Sequence, residues 1–98
     1  MKRISTDELQ HKFETGEALD IIDVREAVEV RAGKIPGAVN IPLGLLEFRM
    51  NELEKGKQYF MVCQSGGRSS QAYRFLEYQG YDVVNVDGGM SSWNGKVQ

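Results

Sequence analysis

The sequence predicts an α/β domain with a mostly parallel sheet covered by helices on both faces. Three observations carry that expectation. The chain has 98 residues with 41% hydrophobic and 27% charged side chains, enough apolar material for one core and a balance that is globular rather than disordered. Short, continuously apolar runs recur, as strands buried on both faces require. Between them lie segments with helical spacing, and strand–helix–strand order implies parallel pairing under helical layers.

The elements follow in order. Ser5-Thr6-Asp7-Glu8 reads as a capping box, with Ser5 capping and Glu8 reaching back. Leu9 and Phe13 then share one helical face, and Gly16 is a left-handed stop. Leu19 to Val24, LDIIDV, is a buried strand ending in Asp23-Val24-Arg25. Glu26 to Ala32 forms a short helix stopped at Gly33. Ile35-Pro36-Gly37 is a turn, and Ala38 to Ile41 is extended before Pro42. Pro42 opens a helix over Leu43 to Leu53, where its missing N–H does little harm. After Gly56, Gln58 to Val62 is the strand that delivers Cys63. Ala72, Phe75, Leu76 and Gln79 mark the next helix, which Gly80 ends. Val83, Val84 and Val86 mark a last strand, and Gly88-Gly89 turns into a short segment carrying Trp93, expected in the core. The whole of 1–98 is expected to fold as a single domain and to act as a monomer.

Charge and cysteine content narrow the function. Net charge is -2 from 12 basic and 14 acidic side chains, with no basic block, which argues against nucleic acid or an anionic membrane as partner. The first residues lack the apolar run of a secretory signal, and no segment approaches membrane-spanning length, so a cytoplasmic location is expected. Cys63 is the only cysteine, which excludes an internal disulfide, a CxxC pair and a multi-thiolate zinc site. The only histidine, His11, lies in a polar segment and is expected at the surface.

The junction Cys63-Gln64-Ser65-Gly66-Gly67-Arg68-Ser69 carries the chemistry. A helix beginning near Arg68 has unpaired N–H groups and partial positive charge in its first turn. Gly66 and Gly67 let the backbone bend so that several amides face inward as an anion cradle. A thiol set there ionises more readily, since the cradle stabilises the thiolate. Arg68 adds a permanent charge and a planar donor fork, and Ser65 and Ser69 add donors. Taken alone, a cysteine at the end of an apolar strand reads as a buried, inert side chain. The glycines, arginine and helix start together favour a nucleophile. Ligands in open sheets of this type sit beyond the carboxyl ends of the strands, so Asp23 and Arg25 are expected to converge with Cys63. Asp23 reads first as a buried carboxylate capping a turn and pairing with an arginine, and Arg25 as either loop support or a donor-binding group.

The pieces IIDVRE at 21–26, GKIPGAVNIPL at 33–43, VCQSGGRS at 62–69, LEYQGY at 76–81 and VDGGMSSW at 86–93 resemble, in order and spacing, the single-domain rhodanese, a sulfurtransferase. The resemblance covers nearly the whole chain. It implies a three-layer fold with a central, mostly parallel sheet of four or five strands flanked by helices, that Cys63 is the nucleophile and that Cys63 to Arg68 form the active-site loop. It implies a two-step, ping-pong reaction: the thiolate takes the outer sulfur of a donor such as thiosulfate, releasing sulfite, and passes it from a Cys63 persulfide to cyanide or a thiol. Arg68 would hold the loop and attract an anionic donor. No metal or organic cofactor is implied; the expected partners are a small-molecule donor and acceptor or a protein thiol or persulfide. The chain departs from the usual pattern at Lys34, where histidine is common, and at Val30, where an aromatic is common.

Two other readings are weaker. Phosphatase or arsenate reductase relatives place five residues between Cys and Arg, whereas four stand here, a tighter cradle suited to one sulfur. A sulfur-relay or partner-binding module without turnover is the third reading; inactive relatives typically lack the cysteine, which this chain keeps.

Overall fold

The computed structural model describes residues 1–98. It contains β1 (Arg3–Ser5), α1 (Thr6–Glu14), β2 (Asp20–Asp23), α2 (Ala27–Arg31), β3 (Val39–Asn40), α3 (Leu46–Arg49), β4 (Gln58–Val62), α4 (Gly67–Tyr78), β5 (Asp82–Asp87) and α5 (Gly89–Ser92). The five strands form one sheet in the order β1-β5-β4-β2-β3, and every pair is parallel. The expected three-layer α/β architecture is therefore present.

Side-chain alternation along the strands sorts the core into two layers. Ile22, Tyr59, Met61, Cys63 and Val83 face one side, where Leu46, Ala72, Tyr73 and Leu76 cover them. Ile21, Phe60, Val62, Val84 and Val86 face the other, with Ile4, Leu9, Ile35 and Trp93. A fully buried aliphatic side chain contributes roughly 1.5–3 kcal/mol, so both layers are needed to offset chain entropy. Trp93 stands edge-on to Phe13, with ring centroids 6.4 Å apart, and donates its indole N–H to the Lys96 carbonyl. His11 is exposed, as its polar surroundings suggest. No helix is long and apolar enough to cross a membrane.

One strand is new and two local expectations are corrected. Arg3–Ser5 forms an edge strand against β5 that three residues with one apolar side chain do not announce. The helix expected over Leu43 to Leu53 is three short pieces: a 3-10 turn at Leu43–Leu45, α3, and a second 3-10 turn at Met50–Glu52. Its apolar spacing reports the buried side chains, not a continuous α ladder. At the start of α1, Ser5 Oγ accepts the Glu8 amide at 3.1 Å as expected. The return contact differs: the Ser5 hydroxyl, not its amide, donates to the Glu8 carboxylate at 3.3 Å.

This topology sets the site. The chain builds β2 and β3, then returns to place β4 and β5 on the other side of β2. The carboxyl ends of β2 and β4 therefore flank the point where strand order reverses, the place where open α/β sheets bind ligands. Asp23 ends β2, and Cys63 follows β4.

Candidate active site

Cys63 continues the inward face of β4 and is 1% exposed. It belongs to the core layer, yet its sulfur also meets polar groups of the loop. Gly66 donates its amide to Sγ at 3.0 Å. The Cys63 thiol donates to Ser69 Oγ at 3.5 Å, and that hydroxyl donates to the Gly66 carbonyl at 3.0 Å. Burial pushes the thiol pKa up, but the Ser69 hydroxyl and the amides of Ser69, Gly66 and Ser65 outweigh it and leave the thiol below its ordinary value. On ionisation the Ser69 hydroxyl can turn its proton onto the sulfur, so the same group serves both protonation states.

The loop owes its shape to two glycines in different parts of the chain. Gly66 takes φ 111° as it enters α4, a conformation that side chains with a Cβ disfavour. Gly89, at φ 55°, lies directly beneath the loop; a Cβ there would overlap the Cys63 carbonyl and the Gln64 backbone. That close approach lets Met90 donate its amide to the Cys63 carbonyl at 2.8 Å and Ser91 donate to the Gln64 carbonyl at 2.9 Å. With those carbonyls turned toward α5, Gly66 can aim its amide at the sulfur. Sequence reading treated Gly88-Gly89 as a turn; the signal available was only the pair of glycines itself.

Asp23 and Arg25 do converge on this edge. Asp23 is 0% and Arg25 4% exposed. Arg25 donates Nε to Asp23 Oδ1 at 3.0 Å and an Nη to Oδ2 at 2.9 Å, while its backbone N–H donates to Oδ1 at 3.0 Å. Its remaining donors go to the Gly33 carbonyl at 2.8 Å and the Gln64 side-chain oxygen at 3.3 Å. Gln64 in turn donates to Ser91 Oγ at 3.1 Å. Of the two readings open for Arg25, its geometry is that of loop support. Asn40 stitches the same corner by donating to the carbonyls of Asp23 and Arg25, both at 2.9 Å.

Arg68, expected to hold the loop and attract an anionic donor, is held in an ion pair. Its guanidinium forks onto Glu29 of α2, at 2.5 and 2.8 Å. Glu29 also accepts the Glu26 amide at 3.0 Å, capping α2 while it holds Arg68. The Arg68 hydrogen bonds, with the Glu26 amide, hold the Glu29 carboxyl down to about 2. Glu29 is a site residue that sequence reading missed, because 39 positions separate it from Arg68 and it looks like an ordinary exposed helical residue. Ser65 and Gly67 are exposed at the mouth of the loop. Lys34, at the position where histidine is common, turns its ammonium onto the Ala38 carbonyl at 3.0 Å, and Val30 is half-buried.

Comparison with known proteins agrees with this architecture. The rhodanese-like domain signature matches residues 5–96. YtwF of Bacillus subtilis, which carries a provisional sulfurtransferase name, is 45% identical over 98 residues, covering 100% of this chain and 95% of that protein. A protein of Allochromatium vinosum named sulfurtransferase is 34% identical over 94 residues, covering 95% and 88%. A crystal structure of a rhodanese-like domain protein from Staphylococcus aureus superposes with a TM-score of 0.94 at 38% identity, covering 100% of this chain and 97% of the other. Sheet order, loop position and these matches converge: the chain belongs to the rhodanese-like domain family.

Proposed function

We propose that this protein transfers a sulfane sulfur through a persulfide on Cys63, from thiosulfate or a persulfide donor to cyanide or a thiol. The observation that carries the reading is the Gly66 amide and Ser69 hydroxyl gathered around a thiol whose pKa lies below its ordinary value. The thiolate attacks the outer sulfur of the donor, the donor's S–S bond breaks, and its electron pair leaves with the inner sulfur. For thiosulfate the leaving group is sulfite. The acceptor then attacks the outer sulfur of the persulfide and restores the Cys63 thiolate, as in other covalent, two-step mechanisms. The loop amides stabilise the negative sulfur in both stages without reorganising, and the Ser69 hydroxyl turns its proton onto it. The proposed roles are Cys63 as nucleophile, residues 64–69 as its cradle, and Asp23 and Arg25 as supports. The relatives named as sulfurtransferases support this assignment. The donor and acceptor are small molecules or protein thiols, and one copy of residues 1–98 is the proposed working unit, in the cytoplasm.

Mass spectrometry after exposure to a sulfane-sulfur donor tests the mechanism. The wild type should gain one sulfur, removable by cyanide. Cys63→Ser should gain none; sulfur retained by that variant would refute the mechanism.

A further inference from the structure

Two arginines reach the cysteine loop, and a carboxylate holds each. Arg68 lies on Glu29, and Arg25 lies on Asp23. Formal charge at these four residues therefore cancels, and Glu26 adds a negative field at Arg68. Lys34 keeps its positive charge and directs its ammonium to the Ala38 carbonyl. A dianionic donor such as thiosulfate finds no unpaired guanidinium here and meets the Glu29 carboxylate.

Beside the loop lies a cleft of about 410 Å³ whose lining includes Arg25, Glu29, Gln64, Ala32, Met90 and Val97. Its two charged side chains are already paired, and Ala32, Met90 and Val97 supply apolar contact. That combination suits an organic chain better than a small oxyanion.

Resting on the persulfide reading above, we propose that Glu29 is the specificity-determining residue of this site. By occupying the Arg68 fork it turns the loop away from thiosulfate and toward a persulfide carried on an organic thiol, R–S–SH. In that step the Cys63 thiolate attacks the outer sulfur, a Cys63–S bond forms, and the donor S–S bond breaks. The electron pair departs with the inner sulfur as R–S⁻, and the proton stays on the new Cys63 persulfide. No oxidant or reductant is consumed.

The test is the single-turnover rate of Cys63 persulfide formation, followed by mass spectrometry, with thiosulfate, cysteine persulfide and a persulfidated peptide as donors. Glu29→Gln keeps the size and one acceptor for Arg68 but removes the charge. It should raise the thiosulfate rate about tenfold, the lower end of what a focused charge does for an ionic ligand. That gain should shrink at high ionic strength, while the organic persulfide rates stay within about twofold. Equal changes for all donors, or an unchanged thiosulfate rate, would overturn the proposal. If Glu29→Gln does not fold, the salt dependence of the wild type decides. A thiosulfate rate flat in salt supports a compensated site, and a steep fall reveals an open cation and overturns it. The faster of the two persulfide donors shows whether the carrier is a small thiol or a peptide. Failure of the persulfide mechanism itself would look different, as no sulfur on Cys63 from any donor.

Discussion

Gly89→Ala tests whether the loop around Cys63 is held from below. The new Cβ would overlap the Cys63 carbonyl and the Gln64 backbone, neither of which is a flexible side-chain end. The left-handed conformation alone costs an L-residue about 1–2 kcal/mol. Relieving the overlap means moving α5 away from the loop, which gives up the Met90 and Ser91 amide bonds to the Cys63 and Gln64 carbonyls. Each is worth about 1 kcal/mol net, and more if the carbonyl stays buried without a partner. The total loss is about 3–5 kcal/mol. Net stability of a domain this size is about 5–15 kcal/mol, so the melting temperature should drop by at least roughly 12 °C. Gly44→Ala is the control, since nothing lies within 4 Å of its Cβ position; it should stay within about 0.5 kcal/mol of wild type. Urea unfolding measures the loss, and thiol alkylation against pH reports the loop. With its carbonyls released, the loop should lose the Gly66 amide from the sulfur, and the alkylation midpoint should rise. A Gly89→Ala protein within about 1 kcal/mol of wild type, or one destabilised with unchanged alkylation, would refute the idea that α5 shapes the loop.

Two further predictions concern the same corner. Asp23→Asn leaves the buried Arg25 guanidinium without its counter-charge and should cost about 3–5 kcal/mol in denaturant unfolding; a loss under 1 kcal/mol would mean that Arg25 finds water or another partner. The Cys63 pKa lies below its ordinary value, so the thiolate fraction at neutral pH exceeds that of a free thiol. Alkylation should therefore show a midpoint below that of a free cysteine thiol, and Ser69→Ala should move it up by removing the hydroxyl donor. An unmoved midpoint in Ser69→Ala would assign the depression to the amides alone.

Much of the architecture was legible because it is written in local pattern. β2, β4 and β5 are runs whose apolar content follows from burial on both faces, and α4 carries its spacing and its Gly80 stop. The cysteine loop was legible for the same reason: Cys63, Gly66, Arg68 and Ser69 lie within seven residues, and backbone geometry links them. β1 was not, since Arg3–Ser5 earns its strand conformation from β5, at the far end of the chain. The broken helix over Leu43–Glu52 was not, because burial imposes apolar spacing without dictating whether a turn closes as α or 3-10.

Local pattern alone specifies an α/β chain that delivers one thiol to the end of a central strand, with a bend and donors beside it. Those features depend on neighbours a few residues apart, where covalent geometry limits the choices. Folding of the whole chain is what puts Gly89 under the loop, Arg25 against Gln64 and Glu29 on the Arg68 guanidinium. These contacts join side chains or backbones 25 to 39 residues apart. Their partners are chosen by how the helices cross the sheet, and no local pattern encodes that choice.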